Sequence, residues 1–443
     1  MPGRMEFDVN FSSKGRRRDE DEPMRLLVLG DFSGKPIGER GPLAERAIQR
    51  IDVDTLDAVM QRLEPRAVVT DDEIRFRQID DFHPDRLYAR LDRFQRLRQA
   101  RAAPPAALDD DEIARLLGKP PARNAAAHAS GLDALIRDAV APHIVKDTST
   151  ANAVHVQAVD AAIAREMRAL LHAPAFQAIE AAWRGVQWLV SSLELDESLQ
   201  LHLLDVTRDE LLADIVAAEG KLANTGLHRV VVDRSRSAVE GTRWSALVGL
   251  LRFGPATADI GLLAALGLTA SRAGGPWLAD ADLRVADNQN GVSDEWLALR
   301  RSEAARWIAL AAPRVLLRMP YGRQSDPLEA FAFEELAGPP EPEQLLWGHA
   351  SLAMGLLIGR AFSARGWAME PGDEREIGDL PAYTFERDGE RQMQPCAERL
   401  LSDRDIDTFV NAGLVPIAGR RDRNSVVAVR FQSVSDPAAP LAW

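Results

Sequence analysis

The feature that most limits how this chain can fold is an alternation of strand-length apolar runs with helix-period segments through its second half. Leu199–Val206 and Arg229–Asp233 have strand character and bracket a helical pattern at Arg208–Lys221. Trp244–Phe253, a predicted strand, leads into a predicted helix at Ala256–Arg272. Arg314–Met319 is a predicted strand closed by Pro320, and Gln344–Arg365 a long apolar helix ended by Gly366. A short helix at Asp403–Asn411 stops at Gly413, and Val426–Val434 alternates as a strand does. Such mixing predicts an α/β or α+β fold. No internal repeat has a solenoid period.

Three helix-period segments precede that region. Leu132, Leu135, Ile136, Val140 and Ile144 share one face, and Val156, Val159, Ile163, Met167 and Leu170 the next. Ala175–Leu193 repeats the pattern with Phe176, Ile179, Trp183, Val186 and Val190. Nearer the N-terminus, Met5, Phe7, Val9 and Phe11 alternate with polar residues, which predicts a half-buried strand. Arg16–Glu22 is a charged loop, and Met24–Leu29 a buried strand that enters a turn at Gly30–Gly34. Asp54–Leu63 predicts a helix stopped before Pro65, and Pro84–Arg101 a second. The latter carries Leu87, Leu91, Phe94 and Leu97 on one side and Arg86, Arg90 and Arg93 on another. Between 99 and 131 the composition shifts. Pro104, Pro105, Pro120, Pro121 and many alanines surround a short acidic helix at Asp110–Leu117, which predicts a linker between two modules.

At 443 residues the chain is long enough for two or three domains and a sizeable core. It holds one cysteine, Cys396, so neither an internal disulfide nor a thiolate metal cluster can form, and a reducing cytoplasm is permitted. No apolar run is long enough to span a bilayer, and no signal-peptide core follows the N-terminus. The net charge of −13 is concentrated after residue 126, where 31 Lys and Arg face 43 Asp and Glu. That balance argues against a nucleic-acid backbone binder.

Catalytic signatures are missing. Gly30-Asp31-Phe32-Ser33-Gly34-Lys35 invites a phosphate-binding loop, but three residues separate the glycines where four are needed. Pro36 also stands where Ser or Thr would hold magnesium, so the segment is a turn at a strand end. No dinucleotide fingerprint, nucleophile elbow or zinc-protease motif occurs. The eight histidines are scattered, which favours structural or surface roles over metal ligation. Cys396 has no nucleophile signature around it and is expected to be a buried, inert thiol. Asp109-Asp110-Asp111-Glu112 is expected to sit at a helix N-terminus rather than on a cation. The arginines of the Pro84 helix form a solvated face or meet an acidic partner.

Several runs carry a resemblance. Leu27-Val28-Leu29-Gly30-Asp31-Phe32-Ser33-Gly34 resembles the "lGDfSG" signature of the small subunit of the type VI secretion contractile sheath (TssB, or VipA). Pro42-Leu43-Ala44-Glu45-Arg46, Ile51-Asp52, Asp54, Pro65-Arg66 and Asp80-Asp81-Phe82-His83-Pro84-Asp85 continue it. The rest resembles the large subunit (TssC, or VipB). Phe176-Gln177, Glu180 and Trp183-Arg184-Gly185 match its "FQxLExxWRGL" helix, and Pro313 to Gly322 its "PRvLLRlPYG" segment. Phe331-Ala332-Phe333-Glu334-Glu335, Leu346-Trp347-Gly348 and Leu380-Pro381 follow in family order. The resemblance divides the chain into a small-subunit-like module at 1–101, a linker at 102–131 and a large-subunit-like module at 132–443. Three departures stand out: the two sequences share one chain, Glu370–Arg375 replaces a Gly-rich stretch, and the chain ends at Trp443, soon after the segment matching "GFiPL".

The resemblance implies an intertwined sheath-protomer fold with mixed sheets flanked by helices, a structural role in the bacterial cytoplasm, and no enzyme activity, cofactor or metal. Implied partners are sheath subunits, inner-tube or baseplate proteins and the recycling ATPase ClpV, with no nucleic acid and no membrane insertion. Met5, Phe7, Val9 and Phe11 are the candidate strand arm for linking protomers by β-augmentation. Leu132, Leu135, Ile136 and Val140 resemble the ATPase-recognised "LLDxIv" helix, with ordinary amphipathic packing as the alternative. The two modules are expected to fold together, because the small-like part alone would be marginal. The stop at Trp443 favours a second reading, a sheath-derived accessory that caps, nucleates or regulates assembly, and predicts monomers or small oligomers from the chain alone. A third reading, a nucleotide-dependent enzyme, rests only on Gly30–Lys35.

Overall fold

The structure, a computed structural model, describes residues 21–102, 148–237, 243–286, 293–420 and 423–443. The candidate arm at Met5–Phe11, the linker helix Asp110–Leu117 and the candidate ATPase helix with Leu132, Leu135, Ile136 and Val140 lie outside the described residues. The chain packs as two compact units. The first holds the described residues up to Ile79 together with Pro174–Met319 and Gly338–Trp443, and the second Asp80–Ala173 with Pro320–Ala337.

The first unit is an α/β body built on a nine-stranded mixed sheet. Its strands are β1 (Met24–Gly30), β2 (Gln49–Ile51), β5 (Leu199–Asp205), β6 (Ala246–Phe253), β7 (Trp277–Ala281) and β8 (Ile308–Ala312), with β11 (Glu376–Ile377), β14 (Val415–Gly419) and β15 (Val426–Ala428). Their order is β11-β15-β14-β8-β7-β6-β1-β5-β2. The strands from β14 to β5 run parallel, and antiparallel β15 and β2 flank them. The small-like sequence supplies β1, which lies between two large-like strands. It pairs with β5 from Met24↔Leu199 to Gly30↔Asp205, and with β6 from Leu26↔Ala246 to Leu29↔Gly249.

A parallel strand covered on both faces is apolar nearly throughout, and β1 is so from Leu26 to Leu29, with Arg25 half-buried near its start. Met24, Leu26, Leu27, Val28 and Leu29 have no exposed surface, and burying each is worth about 2 kcal/mol. Leu27 and Leu29 join the core beneath α7 (Thr257–Ala273) and α6 (Arg208–Ala217). On the sheet's other side, α9 (Ala350–Arg365) packs on β6, β7 and β8, with Gly355 against Val248. Beside it, α5 (Pro174–Ser192) buries Phe176, Ile179, Trp183, Val186 and Val190, the face expected from their spacing. The unit also holds α1 (Leu56–Leu63), α10 (Asp403–Asn411) and three two-stranded ladders: β3 (Arg66–Val69) with β4 (Asp72–Arg75), β9 (Val315–Leu316) with β10 (Trp347–Gly348), and β12 (Thr384–Arg387) with β13 (Glu390–Met393).

The second unit joins α2 (Pro84–Arg90), α3 (Gln95–Ala102) and α4 (Thr148–Leu171) to the segment Pro320–Ala337. The Asp85 carboxylate accepts the Glu329 and Ala330 N–H groups at 2.9 and 3.1 Å, and Tyr88 packs on Phe331 with ring centroids 4.9 Å apart. Buried Glu335 accepts the Tyr321 N–H at 2.8 Å, and Arg101 pairs with Asp160 at 2.6 Å.

Several predicted elements differ in the structure. Arg229–Asp233 is helical, one π turn inside a helical run from Gly226 to Ser237. Three successive valines suggest a strand. The start of the run is capped instead: Asp214 accepts the Gly226 and Leu227 N–H groups at 2.7 and 2.9 Å, and the Thr225 hydroxyl accepts that of His228 at 3.1 Å. The expected Pro84–Arg101 helix is two helices broken at Leu91, whose backbone is extended. At the break the Arg98 guanidinium donates to the carbonyls of Tyr88 and Leu91, the latter at 3.1 Å, and the Phe94 N–H also donates to that of Leu91 at 3.2 Å. Its arginines do not act together: Arg86 is exposed, Arg90 faces Asp81 at 3.5 Å, and Arg93 lies 4.0 Å from Glu166. The Arg314–Met319 strand is confined to Val315–Leu316, the long helix begins at Ala350 because Trp347–Gly348 pairs with β9, and the last strand stops at Ala428.

Candidate functional site: the joint at the ends of β1 and β5

The turn at Gly30–Gly34 leaves the end of β1 beside the end of β5, where Asp205 is the last strand residue. Asp205 Oδ1 accepts the N–H groups of Phe32 (2.8 Å) and Ser33 (3.0 Å), and Oδ2 accepts the Ser33 hydroxyl (2.7 Å). Arg40 donates to Asp205 Oδ1 at 3.0 Å and to Asp31 Oδ1 at 2.6 Å, and its side chain is only 1% exposed. Asp31 Oδ1 also accepts the Gly34 N–H at 2.7 Å. These are the amides a phosphate would need in the nucleotide reading. Here the protein's own carboxylates take them, while Lys35 turns to Glu64 at 3.1 Å. Gly34 has a left-handed φ of +61°, and a Cβ there would stand 1.9 Å from the Arg66 carbonyl oxygen, so only glycine fits.

A second layer extends the joint. Glu210 closes a capping box with Thr207 at the start of α6 and also pairs with Arg46. Burial alone would raise the Glu210 carboxyl, but the hydrogen bonds from Arg46 and Thr207 and the charge of Arg40 hold it below the ordinary value. Arg46 also donates to the Asp205 carbonyl at 2.8 Å, and Arg234 to the Arg46 carbonyl at 2.7 Å. The Arg40–Asp205 and Arg46–Glu210 pairs join the small-like sequence to the large-like one, while Arg40–Asp31 and Lys35–Glu64 lie within the small-like sequence.

The tryptophan of the α5 motif meets the same turn, and the remaining motif residues make ties elsewhere in the unit. Trp183 Nε1 donates to the Phe32 carbonyl at 2.8 Å, and the two rings meet edge to face at 5.6 Å. One turn earlier on α5, Glu180 is fully buried between Arg184 (2.7 Å) and Arg318 (2.9 Å). The arginine of the "LLR" motif thus ties the segment after β9 to α5. Arg314 binds Glu398 through two hydrogen bonds of 2.8 and 2.6 Å, and the Glu398 N–H donates to the Arg314 carbonyl at 2.9 Å. Burial pushes Glu398 up, yet Arg314 keeps it below the ordinary carboxylate range. In the sheet, burial lowers His202 to about 4, so the imidazole is neutral at pH 7. Burial raises the Cys396 thiol to about 11, which keeps it protonated and unreactive.

This geometry makes one fold out of two sequences, and comparison with known proteins identifies both. Residues 153–435 match the family described as "EvpB/VC_A0108, tail sheath N-terminal domain" (VipB). Residues 2–109 match "Type VI secretion system, VipA, VC_A0107 or Hcp2". The chain belongs to the type VI secretion sheath family. The sheath protein TssC1 of Pseudomonas aeruginosa is 28% identical over 306 residues, 64% of this chain and 61% of that protein. TssB1 of the same organism is 30% identical over 108 residues, 22% of this chain and 62% of that protein. The chain therefore spans about three fifths of the length of each curated sheath relative it matches. A remote similarity to a chain of the cryo-EM structure of the anti-feeding prophage baseplate has a TM-score of 0.32 at 14% identity, covering 58% of this chain and 51% of that one.

The joint of this sheath-family chain combines residues the motifs named with several outside them. Asp205, Glu210 and Arg40 belong to no quoted motif. The available signal was local: Asp205 ends an apolar run and immediately precedes the Thr207-x-x-Glu210 capping pattern. Among the described residues no group of His, Cys, Asp and Glu is arranged to hold a metal ion, and no helix is long and apolar enough to cross a membrane.

Proposed function

We propose that the chain is a structural component of a type VI secretion contractile sheath, a protomer carrying small-subunit-like (1–101) and large-subunit-like (132–443) modules in one polypeptide. The observation that carries this is the position of β1, parallel and fully buried between β5 and β6. Matches to both sheath families support it. The small-like strand fills a slot in the large-like sheet, so the chain supplies both halves of a protomer core at a fixed one-to-one ratio. In this reading it does no covalent chemistry, resides in the cytoplasm and associates with sheath and baseplate proteins. Contacts with the inner tube and with ClpV, through Leu132, Leu135, Ile136 and Val140, belong to the same reading, as does strand exchange through Met5, Phe7, Val9 and Phe11.

Electron microscopy of the purified chain mixed with separate full-length sheath subunits tests the proposal. Tubes that contain the chain along their length are expected. Tubes that exclude it at equimolar ratio, and a chain that stays unassembled, would contradict a sheath role.

A further inference from the structure

The slot between β5 and β6 raises a question of register. All three strands are nearly continuous in apolar residues: MRLLVLG, LQLHLLD and ALVGLLRF. A slip of two residues keeps every side chain on its own face and, Arg25 apart, exchanges one apolar residue for another. Hydrophobic burial and the main-chain ladder therefore distinguish poorly between registers. The groups that do distinguish them are polar and sit at the strand ends. At the N-terminal end, Arg25 exchanges bonds with Ser245 (3.0 and 2.8 Å) and donates to Gln200 at 3.1 Å. At the C-terminal end, Asp205 accepts four hydrogen bonds from Phe32, Ser33 and Arg40.

We infer that Asp205 is a specificity-determining residue: it sets the register of β1, and so selects which strand–turn segment the slot accepts. A two-residue slip carries the turn amides, the Ser33 hydroxyl and Arg40 away from Asp205. Arg40 keeps Asp31, which moves with it, so the slip leaves the Asp205 carboxylate without its cation and its amide donors in a poorly solvated site. The N-terminal clamp is weaker, since the Arg25 head is half-exposed and its partners are neutral. The slot thus calls for an apolar strand ending in Gly-Asp-Phe-Ser with an arginine nine residues after the aspartate. Asp31 and Arg40 of this chain meet that requirement.

The full chain provides the test. Cys396→Ser removes the native thiol, and Arg25→Cys, Gln200→Cys and His202→Cys install a competition. The 25–200 disulfide reports the observed register, and the 25–202 disulfide a two-residue slip. These changes also remove the Arg25–Gln200 side-chain bond, leaving the main-chain bonds of residue 25 to Ser245 at one end of the strand and Asp205 at the other. Peptide mass analysis after oxidative refolding should find the 25–200 bond in excess by roughly a hundredfold. Adding Asp205→Asn with Arg40→Met, which removes both charges together, should reduce that excess to about threefold or less. Ser33→Ala, a milder change that decides the matter if the double variant does not fold, should reduce it to roughly tenfold. A 25–200 excess unchanged in the folded double variant, or unchanged in Ser33→Ala where the double variant does not fold, would overturn the inference.

Discussion

The two units of this chain hold a segment from the other half of the sequence in opposite ways. In the first, small-like β1 is inserted among large-like strands, with ladders on both sides and Arg40 and Asp205 buried at its end. In the second, large-like Pro320–Ala337 lies along small-like α2, held by two amide bonds to the half-exposed Asp85 and by the Tyr88–Phe331 contact. The first is a burial-dominated joint, in which loss of one partner leaves charge without solvent. In the second, the Asp85 carboxylate is half-exposed, so loss of that partner is partly made good by water. The chain is intertwined in both units, but the first unit should contain most of the energy of the union.

The largest expected effect follows from that contrast. Asp205→Ala removes four accepted hydrogen bonds and leaves the buried Arg40 with Asp31 alone as its close carboxylate, and should lower unfolding free energy by roughly 4 kcal/mol in urea titration. A loss no greater than that of Asp85→Ala would erase the distinction between the joints. Next comes pH. His202 titrates near 4 in the folded chain and near 6.5 when unfolded, so between those values the unfolded chain binds the extra proton. Stability from this group is complete above about pH 6.5 and falls as pH drops toward 4, by about 3 kcal/mol in total. The stability difference between the parent and His202→Gln, followed across that window, should show this decline; a flat difference would mean the imidazole is solvated.

The slot residues are only partly legible in the sequence. Met24–Leu29 announces a buried strand by its unbroken apolar run, and the turn by Gly30 and Gly34. Its neighbours are not announced, because β5 and β6 lie about 175 and 220 residues away and every parallel apolar strand offers the same face chemistry. Val230, Val231 and Val232 mislead in the opposite direction: their β-branched pattern is overridden by Asp214 and Thr225, which cap a helix from outside the run. The hairpin of β3 and β4 has no glycine to mark its turn, where Thr70 takes a φ of 56°. Glu180 and Trp183 were visible as motif residues. Their partners, Arg318 and the Phe32 carbonyl, needed the fold.

Two smaller effects sharpen the comparison. Gly34→Ala places a Cβ against the Arg66 carbonyl at a left-handed φ and should cost roughly 2 kcal/mol, read as a lower melting temperature. A neutral result would show that the turn relaxes and that its geometry is not what aligns the amides with Asp205. Asp85→Ala should cost only about 1 kcal/mol, with faster proteolytic cutting confined to 320–337. A global loss of protection there would place the second joint on a par with the first.

The central claim is that the small-like strand is a core strand of the large-like sheet. Native-state hydrogen exchange of the full chain, resolved to the peptide covering Met24–Gly30, tests it most directly. Protection of those amides equal to that of β6 and β7, lost only on global unfolding, is the predicted result. Exchange of Met24–Gly30 within seconds, while β6 and β7 stay protected, would contradict the insertion.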